Sequence, residues 1–238
     1  MRLALVSDVH GNRVALDAAL ADLERVGVDG GVCLGDVAQG GAQPAEALDR
    51  VRGLGWPVIL GNADDFLLRI PDDSPEPITE RQLAVREWTR SRLTAAHFEL
   101  IESFSPTVEL ELPGGRTLLA CHGSPRSYDD VLLPETKPGP AYETDADVLA
   151  GGHTHLQWTR RLGPALFVNP GSVGLAYDRH RPSDEIRPTP IAEYALLHAA
   201  EAGVAVEFRR VPYDLDAVLA AAAAGDRPDA DEYAEVWS

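Results

Sequence analysis

The stretch that decides the fold is Leu3-Ala4-Leu5-Val6-Ser7-Asp8-Val9-His10-Gly11-Asn12. Its first four residues are apolar without alternation, which is the pattern of a short strand buried on both faces. The run stops abruptly at Asp8 and His10. A helical apolar face follows at Val14, Leu16, Ala19, Leu20, Leu23 and Val26, with Asn12 as its N-cap and Gly27 as its stop. Moving outward, the unit repeats. Gly31–Leu34 reads as a second buried strand, Pro44–Arg52 as a helix with proline in its first turn, and Pro57–Leu60 as a third strand. Short buried strands alternating with helices predict an α/β fold, with a mostly parallel sheet covered by helices.

Beyond this unit the pattern changes. Residues 71–77 (PDDSPEP) form a turn-rich break. Residues 79–93 and 94–104 then read as two amphipathic helices, a cap-like segment over about 78–104 or simply surface helices. Strands return at 107–112, 117–121, 148–150, 156–161, 166–168, 193–198 and 204–209. The last four are joined by short links, which predicts antiparallel pairing. Leu215–Ala224 closes as an Ala-rich helix. The expected layout is one domain over 1–225 and an acidic, fraying tail over 226–238. Two long loops, 124–146 and 177–190, are candidates for function.

Composition excludes several function classes. The 238 residues suit one large domain. Lys and Arg number 21 against 38 Asp and Glu, a net charge of −17. Such a balance argues against long nucleic acid and anionic membranes as partners. A small anionic substrate remains compatible, because a bound metal reverses the local sign. Cys33 and Cys121 lie in apolar stretches and read as buried thiols of a reducing compartment. The N-terminal apolar run meets Asp8 at once, unlike a signal peptide, and Ala217–Ala224 is too short to span a bilayer. These features lead to the expectation of a cytoplasmic protein, with a homodimer as the base-rate assembly.

The chemistry sits immediately after the strands. Asp8-Val9-His10 follows the first, Gly35-Asp36 the second and Gly61-Asn62-Ala63-Asp64 the third. His122-Gly123 and Gly152-His153-Thr154-His155 follow two later ones. In open α/β sheets the carboxyl ends of strands form the ligand crevice, so these groups converge on one edge. Asp8 and His10, like His153 and His155, are two residues apart, which in extended backbone points both side chains one way. A single Asp-x-His or Gly-Asp is most often a cap or a turn. Five such groups in order after successive strands are not explained that way. Asp8, His10, Asp36, Asn62, His122, His153 and His155 offer seven nitrogen and oxygen ligands, too many for one tetrahedral zinc. They suit two divalent ions sharing a carboxylate, a pair that can hold a hydroxide and clamp a phosphate. The donor types favour Mn, Fe, Co or Zn, with Mn the first choice.

These motifs resemble the calcineurin-like metallophosphoesterase superfamily. Asn169-Pro170-Gly171-Ser172 and Tyr213-Asp214 are similar to its small bacterial and archaeal phosphodiesterase branch. The resemblance implies a four-layer α/β/β/α sandwich of two mixed sheets. It implies that Asp8, His10, Asp36 and His155 hold one metal, and Asp36, Asn62, His122 and His153 the other, with Asp36 as the bridge. The implied activity is a phosphodiesterase cleaving a small phosphodiester or nucleotide through a metal-bridged hydroxide. A non-catalytic scaffold of the same fold is the alternative, although such scaffolds tend to lose ligands that are all present here. The chain departs from the family at Ala63, where a histidine commonly protonates the leaving group. That departure predicts a preference for good leaving groups, or a proton donor from elsewhere, with His180 on the 177–181 loop as a candidate. Asp64 is left as a cap or a support for the ligands. Substrate-binding candidates are Asn12, Asn62, Arg126 and His180, each with a plainer reading: Asn12 as helix cap, Arg126 and His180 as solvated surface groups. Arg179, Arg181 and Arg187 could form an anion-facing rim or pair with Asp178, Asp184 and Glu185.

Overall fold

β1 (Arg2–Val6) is buried on both faces, as its unbroken apolar run requires. Ala4 and Val6 pack toward the helices, while Leu3 and Leu5 pack toward a second sheet. Along the chain follow α1 (Arg13–Val26), β2 (Gly30–Cys33), α2 (Pro44–Leu54), α3 (Asn62–Leu68), α4 (Glu80–Arg92) and α5 (Ala95–Glu102). Next come β3 (Val108–Leu112), β4 (Arg116–Ala120), β5 (Val148–Ala150), β6 (Gln157–Leu162) and β7 (Ala165–Pro170). The chain closes with β8 (Tyr177–Asp178), β9 (Arg187–Pro188), β10 (Ile191–Ala200), β11 (Gly203–Pro212), α6 (Leu215–Ala224) and α7 (Ala230–Glu235). This computed structural model describes residues 1–70, 77–137, 139–178 and 187–237. The expected break at 71–77 lies outside them except for Pro77.

Two mixed sheets stack face to face. One has the order β11-β10-β1-β2, the other β3-β4-β5-β7-β6, and β8 pairs with β9 separately. β1 runs parallel to β2, and β4, β5 and β7 run parallel to one another, so five strand ends open on a common edge. The last four expected strands pair antiparallel, two in each sheet, as β6–β7 and β10–β11. Between the sheets lie Leu5, Val32, Leu34, Leu118, Val148 and Val168. Helices α1 and α2 cover the outer face of the first sheet through Leu16, Ala19, Leu48 and Val51. The outer face of the second sheet is covered by Leu132 and Tyr142, which pack with Trp158 and Phe167. The four-layer order therefore holds, and its thinnest layer is the 124–146 segment with one 3-10 turn (Pro140–Tyr142).

Three expectations change. Pro57–Leu60 is not a full strand. It touches the sheet through the bridge Cys33↔Val58 and reaches Ser105 through Ile59. Pro57 has no N–H to give, so the ladder there stays short. The 78–104 segment is not a cap but takes its other reading, surface helices, because α4 and α5 pack on α2 and α3 and extend that helical layer. Nor is 226–238 a loose tail. Its α7 buries Tyr233 against α6, and Arg227 is buried with it. The acidic composition hid these two inward-facing residues. Cys33 and Cys121 are free and buried, as expected, and burial pushes both thiols up to about 12.

Candidate metal centre

Six of the seven residues singled out by the sequence lie at strand ends of the two sheets, and the seventh, Asn62, lies at a helix start. Asp8 and His10 follow β1, Asp36 follows β2, and Asn62 opens α3. His122 follows β4, and His153 and His155 follow β5. Their backbone is not extended as the two-residue spacing suggested. Asp8, His10, Asp36, His153 and His155 all have positive φ, between 47° and 66°. Left-handed backbone costs a non-glycine residue about 1–2 kcal/mol, and such strain gathers at functional sites. These turns, not strand alternation, swing the side chains together.

They meet in two groups whose ligand atoms lie within 4.8 Å of one another, Asp8 with His10 and His155, and Asp36 with His122 and His153. His155 Nε2 is 3.2 Å from Asp8 Oδ1, and His10 Nε2 is 3.0 Å from His155 Nε2. Asn62 Oδ1 joins the second group, 3.1 Å from His122 Nε2. Asp36 Oδ1 accepts the Ala63 amide at 2.8 Å. Its Oδ2 is left between the groups, 3.3 Å from His122 Nε2 and 3.8 Å from His10 Nε2.

The histidines are held from behind. His10 Nδ1 lies 2.8 Å from the Gln39 carbonyl, His122 Nδ1 2.7 Å from that of Leu34, and His155 Nδ1 2.8 Å from that of Leu175. A carbonyl only accepts, so each Nδ1 donates and each Nε2 is turned into the site, the orientation an imidazole needs to offer a metal its Nε2 lone pair once that nitrogen is deprotonated. Asp8 Oδ1 is buried and accepts no hydrogen bond. A buried carboxylate oxygen without a donor is costly. A divalent cation among these nitrogen and oxygen donors would satisfy it.

The electrostatics are those of a compressed set of opposite charges. Burial would raise Asp8, but His155, His122 and His10 hold it well below the usual carboxylate range. Asp36 is likewise held low, against burial, by His122. Burial would lower His122, yet Asp36 beside it pushes it up to about 10. Burial lowers His10 and His153, which each face another histidine.

Behind these groups stand their supports, among them Asp64, which the sequence leaves as a cap or a support. Asp64, fully buried, accepts the Val37 amide at 2.9 Å and that of Ala38 at 3.3 Å, so it shapes the turn carrying Asp36. Burial and Asp36 raise it to about 7. Asn169 donates to the Gly152 carbonyl at 2.7 Å, and Ser172 Oγ donates to that of Asp8 at 2.7 Å. The Asn-Pro-Gly-Ser run is thus a brace beneath both metal-ligand turns. Gly61 and Gly152 are glycines for clearance, since a Cβ would overlap Asp36 Oδ1 in one case and Ser7 Oγ in the other.

The substrate-binding candidates fare differently. Asn12 is the N-cap of α1, with its Oδ1 accepting the Ala15 amide at 3.0 Å and its Nδ2 donating to the Gly174 carbonyl at 3.0 Å. Both ends of its buried amide are therefore engaged inside the fold, in the capping role that was the plainer reading of this residue. Arg126 is exposed and pairs with Glu143 at 2.7 Å. His180, Arg179 and Arg181 lie outside the described residues. Arg187 is exposed on β9.

Residues 1–190 match the family model of the calcineurin-like phosphoesterase superfamily domain. The chain belongs to the calcineurin-like phosphoesterase superfamily. This phosphoesterase is 26% identical to a metallophosphoesterase from Sphaerobacter thermophilus, with a TM-score of 0.71 and 98% of each chain covered. A hypothetical protein from Pyrococcus horikoshii OT3 shares the fold, with a TM-score of 0.82 at 19% identity over 99% of this chain and 96% of the other. An uncharacterized protein of Methanocaldococcus jannaschii is 25% identical over 228 residues, 90% of this chain and 88% of its own. Membership supports hydrolase activity on phosphate esters, in a family that uses divalent metals and with candidate His/Asp groups in place here. No helix among the described residues is long and apolar enough to cross a membrane.

Proposed function

We propose that this phosphoesterase works with two divalent ions, Mn first among them, and prefers small phosphodiesters or nucleotides to phosphomonoesters. The supporting observation is the convergence of four imidazoles and two carboxylates, three of the imidazoles with Nδ1 tied outward and Nε2 turned into the site, around a buried Asp8 oxygen that accepts no hydrogen bond. In this reading Asp8, His10, Asp36 and His155 hold one ion, and Asp36, Asn62, His122 and His153 the other. When bound, such ions supply a nucleophilic water at neutral pH and offset charge on the phosphoryl oxygens.

The chain's own residues prepare that chemistry. Asp36 spends Oδ1 on the Ala63 amide and leaves Oδ2 between His10 and His122, which is where a shared ligand must stand. Asn62 presents a neutral Oδ1, adding a donor without another negative charge. Ala63 is half-buried and has no proton to give. A leaving group that departs as a stable anion needs none, so diesters and anhydrides with acidic leaving groups suit the site. Exposed large hydrophobics among the described residues are Met1, Ile70, Val131 and Val236, scattered along the sequence, which gives no support to a scaffold's apolar face.

The test is hydrolysis of bis-p-nitrophenyl phosphate beside p-nitrophenyl phosphate, after chelator stripping and reloading with Mn²⁺, Co²⁺ or Zn²⁺. The expected result is metal-dependent turnover favouring the diester. Equal or better turnover of the monoester overturns the substrate preference, and turnover without metal overturns the mechanism.

A further inference from the structure

Arg227 lies beyond residue 190, where the family match ends, on the segment joining α6 to α7. Its side chain is only 4% exposed. The guanidinium pairs with Asp229, Nε to Oδ1 at 2.6 Å, and stacks over Tyr233 with 4.3 Å to the ring centroid. From there Nη1 donates to the Gly41 carbonyl at 3.0 Å. A buried arginine whose fork ends on a backbone carbonyl is fixing that backbone.

Gly41 belongs to the strap that runs from Asp36 to Gln43 along the His10 turn. The His10 amide donates to the Asp36 carbonyl, the Gly11 amide to that of Val37, and the Gln43 amide to that of Gly11, each at 2.8 Å. The strap touches His10 so closely that a Cβ on Gly41 would overlap the His10 carbonyl oxygen. In its middle, Gln39 supplies the carbonyl that receives His10 Nδ1. Next to Gln39, Gly40 has φ +117°, a conformation open chiefly to glycine. A strap with two adjacent glycines has little stiffness of its own.

We infer that Arg227 is a positioning residue for the metal centre. By holding the Gly41 carbonyl it fixes the Gln39 carbonyl two residues earlier, which keeps His10 Nε2 aimed into the site. The inference rests on the proposal that His10 is a metal ligand, and its test separates the two.

The variants are Arg227→Gln and Arg227→Lys in the full chain. The first readout is hydrogen exchange of the imidazole N–H signals by nitrogen-15 NMR in metal-free protein. Arg227→Gln should speed exchange at His10 Nδ1 at least about tenfold and leave His122 and His155 unchanged; the lysine variant, which keeps a donor, should lie between. The second readout is calorimetric titration with Zn²⁺. One of two binding steps should weaken about 10–100-fold, the usual effect of losing a group that orients a ligand. Unchanged exchange at His10, or equal acceleration at all three histidines, overturns the inference. Should Arg227→Gln fail to fold, Asp229→Asn, which releases the guanidinium but keeps it, must show the same selective change. A wild-type chain that binds no Zn²⁺ would sink the functional reading alone, while the exchange comparison still decides the role of Arg227.

Discussion

Asp36 divides its two oxygens between structure and chemistry, and the division can be tested. Asp36→Asn keeps an oxygen for the Ala63 amide but replaces the charge facing His10 and His122. The variant should fold, bind fewer than two equivalents of metal, and lose at least about a hundredfold in kcat on the diester. Metal analysis beside circular dichroism checks this. Ala63→His should restore a proton donor and raise turnover of poor leaving groups by about 10²-fold or more, with much less gain on p-nitrophenyl esters. A plot of rate against leaving-group pKa would flatten. At this scale the candidate ligands were legible because seven polar residues broke apolar runs. The left-handed backbone beneath them was not, because aspartate and histidine, though enriched among non-glycine residues at positive φ, adopt it too rarely to mark it as glycine does. The Nδ2 bond of Asn12 was equally hidden, since its partner Gly174 lies 162 residues away.

Among the elements, α1 is bound to the far end of the chain by a single buried carboxylate. Asp22 accepts from the Tyr194 hydroxyl on β10 at 2.6 Å and from Arg209 on β11 at 2.9 Å. Burial would raise Asp22, but the Tyr194 hydrogen bond and Arg209 together hold it below its ordinary value of 3.8. A folded-state value below the unfolded one stabilises the protein above about pH 4, and that contribution fades as pH falls through the folded value. Asp22→Asn should therefore cost about 1–3 kcal/mol at pH 7 and progressively less below pH 4. Urea unfolding at both pH values checks it. Long elements such as α1, β10 and β11 were readable from periodicity. The seven-residue α3 was not, because it is under two full turns and begins within a ligand motif. The packed α7 was missed because its charge count outweighed its one buried residue, Tyr233.

For the whole molecule, the centre stands on the seam between the two sheets. Asp8, His10 and Asp36 come from the strands of one, and His122, His153 and His155 from those of the other. Direct hydrogen bonds already cross that seam, from the His153 amide to Asp8 Oδ2 at 3.1 Å and from His122 Nδ1 to the Leu34 carbonyl. Cys33 and Cys121 add no covalent tie, for each is a free thiol in a different packing cluster. Ions at a concentration about a hundredfold above their Kd would add about 2.7 kcal/mol to the folded state. Stripping them should lower Tm by about 5–10 °C in a chain of this size, as read by calorimetry with and without chelator. The same dependence reaches past catalysis. A chain that has not acquired its ions is also the one whose halves part most readily, and so the first that a protease can seize. Metal supply would then govern how long each copy survives as well as how fast it works.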